Sequence, residues 1–170
     1  MEDSDEGATA GLNPSGKEEA MKQTFEEIVR EAVRKEADAA SFYRMAGERV
    51  KSGISKVFEE MAAEEEKHRR LLEDLDWDKV NQYEVKDTPD LKIGEFLEDV
   101  PYDDSMSYQD AIRMAIKNEE KSRNLYLASA KHFAGNPDME KLFKMLAQEE
   151  AKHKLRLEQI YDDEVYNQQW

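Results

Sequence analysis

The chain has 170 residues, 38% of them charged, with 7 Gly, 4 Pro, no Cys and a formal net charge of -15. That length suits one domain with a sizeable core, and a mixture rich in Ala, Glu, Lys, Leu and Met favours long helices over sheet. The negative field argues against nucleic acid and anionic membranes as partners, and the lack of cysteine excludes disulfides, thiolate catalysis and iron–sulfur clusters, so any metal must be held by carboxylate or imidazole.

Residues 1–16, MEDSDEGATAGLNPSG, mix acidic residues with Gly, Ser and Pro and show no apolar period, the composition of a disordered tail; residues 17–170 are then the folded domain. The start is acidic rather than basic and apolar, and no apolar run approaches the roughly 20 residues that span a bilayer, so a cytoplasmic protein is the expectation. Thr24-Phe25-Glu26-Glu27 reads as a capping box ahead of an apolar stripe through Phe25, Ile28, Ala32, Ala39, Tyr43, Ala46 and Val50, which predicts a helix over 24–51. After Ser52-Gly53 a second stripe through Ile54, Val57, Phe58, Met61, Leu72 and Leu75 predicts an antiparallel helix over 54–75.

Residues 76–106 lose the period, carry Pro89 and Pro101, and read as a crossover along the bundle, with Trp77 as an anchor and room for a short helix in LKIGEFLEDV. Ser107-Tyr108-Gln109-Asp110 repeats the capping signature and opens a helix over 108–134, which stops near Gly135-Asn136-Pro137. Met139, Leu142, Phe143, Leu146, Leu157 and Ile160 predict the last helix over 137–161. The fold class is all-α: an antiparallel four-helix bundle of two helical hairpins joined by one long crossover.

The hairpins form an internal repeat. Thr24, Glu36 and Tyr43 correspond to Ser107, Glu119 and Tyr126 at an offset of 83, and Phe58, Glu65 and His68 to Phe143, Glu150 and His153 at an offset of 85. The two-residue difference falls in the turn between helices, where insertions are tolerated.

Steps of three and four along each stripe leave gaps that polar residues fill. Glu36 and Glu119 point inward on the first and third helices, and the registers 58, 61, 65, 68, 72 and 143, 146, 150, 153, 157 pick Glu65 and Glu150 rather than their glutamate neighbours, which read as a solvated face. Four buried carboxylates without compensation would cost roughly several kcal/mol per ion. Two divalent cations would cancel the charge of Glu36, Glu65, Glu119 and Glu150, with His68 and His153 as neutral ligands completing the set. In Glu-x-x-His the positions i and i+3 share one helical face, so one helix offers both an oxygen and a nitrogen. This is the ligand set of di-iron and di-manganese carboxylate bundles. Mixed oxygen and nitrogen donors suit iron or manganese, and the ligands alone do not separate the two.

Tyr43 and Tyr126, two turns beyond Glu36 and Glu119, have two readings: partners of the ligand carboxylates or electron relays, and core aromatics with a polar tip. His132 lies in the last turn of its helix, where an imidazolium favours the dipole. Met45, Met61, Met114 and Met145 read as core filler.

The segments RKEADAASFY around Glu36, FEEMAAEEEKH around Glu65 and His68, NEEKSRNLY around Glu119, FKMLAQEEAKH around Glu150 and His153, and the crossover PDLKIGEFLEDV resemble the rubrerythrin-like branch of the ferritin-like superfamily over about residues 22–162. The resemblance implies a ferritin-like fold and a non-haem site of two iron ions, bridged by Glu65 and Glu150 and flanked by Glu36 with His68 and by Glu119 with His153. It further implies reaction with hydrogen peroxide or dioxygen, and homodimers that in some members exchange helices. Two departures stand out. Members with an appended rubredoxin domain use its cysteines to hold a further iron, so here a separate electron-donor protein such as a rubredoxin is expected. Members also carry an extra Glu three residues after the third-helix ligand, where this chain has Ser122; its repeat partner is Ala39. The Met that binds haem in bacterioferritins is replaced by Glu66 or Ala151, so no haem is expected. The leading expectation is a di-iron peroxidase. The alternatives are a ferroxidase or di-manganese catalase on the same scaffold, or an iron-binding or sensory bundle without redox activity.

Overall fold

The structure is a computed structural model that describes residues 13–50 and 52–166. Helices α1 (Pro14–Arg49) and α2 (Ser52–Glu73) form one hairpin, and α4 (Tyr108–His132) and α5 (Pro137–Tyr161) form the other. Between them the crossover carries the short helix α3 (Trp77–Gln82) and a 3-10 turn over Ile93–Phe96. Two residues separate α1 from α2 and four separate α4 from α5, which accounts for the two-residue shift in the repeat. Among the described residues no helix is long and apolar enough to cross a membrane.

The first helix starts at Pro14, not at residue 24 as its capping signature suggests. Asn13 caps it by accepting from Gly16 N at 2.8 Å, and Pro14 supplies the fixed φ favoured in the first turn. The run KEEAMKQ that follows consists of strong helix formers, so the helix passes through Thr24, whose hydroxyl donates back to the Ala20 carbonyl at 3.0 Å. Residues 13–16 of the expected tail are therefore the cap and first turn, while residues 1–12 lie outside the described residues. Ser107 does cap its helix, accepting from Asp110 N at 3.1 Å. The second helix ends two residues short of its expected limit, at Glu73, and α4 ends at His132, while α5 spans Pro137–Tyr161 as its pattern predicts.

The apolar stripes pack into two clusters. One is built around Phe25, Leu72, Phe133, Phe143 and Leu146, the other around Phe58, Met61, Ile112, Ile116 and Leu157. Trp77 anchors the crossover by stacking on Phe25, with ring centroids 6.1 Å apart. Of the four methionines read as filler, Met61 and Met145 are buried, and Met45 and Met114 are half-buried.

A buried ion pair straps the far end of the crossover to α5. Glu158, fully buried, accepts from Gly94 N at 3.0 Å and Leu91 N at 3.2 Å, and pairs at 3.1 Å with Lys154, which also reaches Asp90 at 2.6 Å. Burial opposes the Lys154 charge, but Asp90 and Glu158 outweigh it and raise its pKa. Gly94 sits so close to α4 that a Cβ there would stand 3.1 Å from Ile116 Cγ2. Glu158→Ala would leave a buried ammonium short of a partner and two amides unbonded. Its expected cost is about 3–5 kcal/mol, read as a lower denaturation midpoint.

Candidate metal centre

Each long helix brings one carboxylate to a common layer where the two apolar clusters give way to polar groups. Glu36 on α1, Glu65 on α2, Glu119 on α4 and Glu150 on α5 are all buried, as is His153, and the His68 side chain is 13% exposed. They fall into two overlapping groups: Glu36, Glu65, His68 and Glu150, and Glu65, Glu119, Glu150 and His153. Within each group one donor atom from every residue lies within 4.8 Å of the others. Glu65 and Glu150 belong to both groups. The two imidazoles stack at 5.8 Å, on the α2 and α5 side of the layer.

The contacts repeat across the pseudo-twofold axis of the hairpins. Tyr43 on α1 donates to Glu119 Oε1 on α4, and Tyr126 on α4 donates to Glu36 Oε1 on α1. Both tyrosines are therefore partners of the carboxylates and core aromatics at once. Each bond occupies one oxygen of a terminal glutamate and leaves Oε2 directed elsewhere.

That remaining valence is what fits the layer to a metal. Glu36 Oε2, Glu119 Oε2 and Glu150 Oε1 are buried and find no hydrogen-bond partner, and Glu65 Oε1 and His153 Nδ1, buried likewise, face each other without hydrogen-bond geometry. Buried polar atoms are otherwise almost always paired, and five orphans in one layer, all oxygen or imidazole nitrogen, are the donor set of a divalent cation. His153 Nδ1 stands 2.7 Å from Glu65 Oε1, and His68 Nδ1 3.4 Å from both Glu36 Oε2 and Glu65 Oε2, so both rings turn Nδ1 toward the centre.

The protons report the same crowding of charge. Burial, the neighbouring Glu36 carboxylate and the Glu119 charge push Glu65 up to about 7. Glu150 rises well above the carboxylate range through burial and then the charges of Glu119, Glu36 and Glu65. Burial would raise Glu36 too, but its close approaches to Glu65 and His68 outweigh it and hold it low. Burial opposes the imidazolium of both histidines, yet Glu64 and Glu65 raise His153 to about 10, and Glu149, Glu36 and Glu65 raise His68 well above its usual value. In the metal-free layer the imidazolium protons stand where cations would.

A family model described as Rubrerythrin matches residues 27–101 and 110–169. The chain belongs to the rubrerythrin family. Searches of curated proteins and of solved structures return no match. Family membership together with the carboxylate and histidine cluster supports a di-iron protein. In this rubrerythrin-family chain the site opens toward α1 and α4 through a cavity of about 290 Å³. Its walls include Ala39, Phe42, Met114 and Ser122, and Glu36, Glu119 and Glu150 also line it. The small side chains of Ser122 and Ala39 face this cavity, so the departure from the family's extra Glu leaves space beside the carboxylates.

Two residues escaped the sequence reading. Glu64 and Glu149, assigned to a solvated face, each stand behind a histidine of the opposite hairpin. Glu64 accepts from His153 Nε2 at 2.9 Å, and Glu149 pairs with His68 Nε2 at 3.6 Å while accepting from Tyr83 and from Lys152 at 2.6 Å. A carboxylate on Nε2 fixes the tautomer that leaves the Nδ1 lone pair free for a cation. The signal lay in the repeat itself, since both precede a Glu-x-x-His glutamate. Glu64→Ala is expected to weaken metal affinity about 10–100-fold in a chelator competition. Glu149→Ala is expected to weaken it less, because 3.6 Å exceeds hydrogen-bond length.

Proposed function

We propose that the chain is a non-haem di-iron oxidoreductase that reduces hydrogen peroxide with electrons from a separate carrier such as a rubredoxin. The observation that carries this reading is the convergence of unpartnered donor atoms from Glu36, Glu65, Glu119, Glu150 and His153 beside a cavity that leads inward between α1 and α4. Glu36 with His68 and Glu119 with His153 would hold one ion each, and Glu65 and Glu150, shared by both groups, would hold both. Bound iron(II) would supply the electrons that the peroxide takes up.

The rest of the work belongs to the chain. Tyr43 and Tyr126 hold the terminal carboxylates in one orientation, and Glu64 holds His153 in one tautomer. The apolar clusters above and below the layer close it to water on those two sides and leave the cavity between α1 and α4 as the way in. Elemental analysis and stopped-flow absorbance test the reading. Anaerobic loading is expected to give two irons per chain, oxidised much faster by hydrogen peroxide than by dioxygen. Preference for dioxygen would make the protein a ferroxidase, and peroxide consumption without a reductant would make it a catalase. A loaded protein inert to both would overturn the redox reading.

A further inference from the structure

The two halves of the site are alike in ligands but not in what lies behind their tyrosines. Tyr43 stacks on Phe58 at 5.9 Å and meets Phe42 at 5.7 Å, and its described ring contacts end there. Tyr126 stacks on Phe143 at 6.4 Å; Phe143 meets Phe25 at 5.9 Å; and Phe25 stacks on Trp77 at 6.1 Å. Phe133 packs on both Phe143 and Phe25 at 5.6 Å, so the rings form a continuous block. One end of this block donates a hydrogen bond to Glu36, and the other is half-buried at the edge of the core. Helix α3, capped where Asp76 accepts from Lys79 N at 3.1 Å, begins at Trp77 and sets the indole on Phe25.

We infer that Tyr126, the Phe143/Phe25 block and Trp77 form an electron relay between the di-metal site and the protein surface. Of all side chains, Tyr and Trp give up one electron most readily among the aromatics, and the closely packed phenyl rings between them provide the tunnelling medium. The inference rests on the proposed peroxide chemistry and adds a second source of electrons to it. Hydrogen peroxide needs two electrons and two protons to become two waters, and both protons are drawn from solvent. Where the centre holds a single iron(II) it gives one electron, and Tyr126 gives the other. The phenol proton passes along the existing hydrogen bond to Glu36, which leaves a neutral tyrosyl radical. Trp77 then reduces Tyr126, the proton returns from Glu36, and the indole N–H proton leaves to water. A one-electron reductant in solution refills Trp77. The relay so carries an oxidising equivalent away from the buried carboxylates to the half-buried indole at the edge of the core.

The test uses the full chain loaded anaerobically with one iron(II) equivalent, mixed with hydrogen peroxide and freeze-quenched for electron paramagnetic resonance. Expected is an organic radical whose hyperfine pattern changes when the protein is labelled with ring-deuterated tryptophan. Trp77→Phe is expected to turn the signal into a longer-lived tyrosyl pattern, Phe25→Leu to do the same, and Tyr126→Phe to lose the signal. Peptide mass spectrometry after peroxide without reductant should find oxygen adducts on Trp77 in the iron-loaded protein and not in the metal-free control. Iron oxidation with no radical, or an unchanged signal in Trp77→Phe, would overturn the relay and leave the peroxidase reading standing. Failure of peroxide to oxidise the iron would overturn both.

Discussion

Glu150→Met is expected to abolish iron loading and, at the same time, to make the metal-free protein more stable than the metal-free wild type. Glu150 is 3% exposed and shares its layer with three other carboxylates, and burial together with their charges raises its pKa well above the usual range. The metal-free chain must therefore hold either a buried protonated acid or a fourth like charge. Its Oε1 has no hydrogen-bond partner in return. Methionine has similar volume, fills the same space and carries neither cost, so the gain is about 1–4 kcal/mol, as when other buried charged groups give way to apolar ones. Denaturant unfolding of chelator-treated proteins measures it. At saturating iron(II) the order reverses, because only the wild type binds the ion that favours its native state. A metal-free Glu150→Met protein less stable than wild type would mean that Glu150 serves the fold, and a variant with unchanged iron content would remove it from the ligand set.

That trade-off explains why the inward glutamates were readable at all. A period of 3.6 residues separates core from solvent, so a charged residue falling on the core side is conspicuous against leucines and phenylalanines, and Glu36, Glu65, Glu119 and Glu150 all do so and are buried. Glu64 and Glu149 were misread for the same reason. One residue before an inward position the side chain leaves the core face for its flank, where it meets the neighbouring helix while keeping part of itself in water, and their histidine partners belong to the other hairpin. No pattern within one helix shows a contact made across two hairpins. The start of α1 failed differently: Thr24 carries a genuine capping signature, but a cap acts only where the upstream residues do not themselves favour helix, and Asn13-Pro14 offered a better start. The strap from Glu158 to Gly94 and Leu91 was invisible as well, since the residues that meet are more than sixty positions apart.

Iron(II) binding is expected to strengthen steeply as pH rises through neutrality. The donors that a cation needs are those that hold protons in its absence. His153, raised to about 10, carries an imidazolium proton at pH 7, and His68 and Glu150 are both raised well above their usual values. Glu65, at about 7, is half protonated there. Raised pKa values mean protons bound below them, so loading must expel the His153 proton near neutrality and the Glu65 proton as well on the acid side of it. Each unit of pH then changes the overall constant for filling the site at least about tenfold, and the His153 share of that slope flattens only as pH approaches about 10. Calorimetric titrations in two buffers of different ionisation heat count the released protons directly, and chelator competition at several pH values gives the slope. Release of fewer than one proton per chain would show that the imidazoles do not exchange a proton for the ion, and would remove His68 and His153 from the ligand set. In Glu64→Ala the release should fall and shift to lower pH, because the carboxylate that stabilises the His153 imidazolium in the metal-free site is the one that turns its Nδ1 toward the ion in the loaded site.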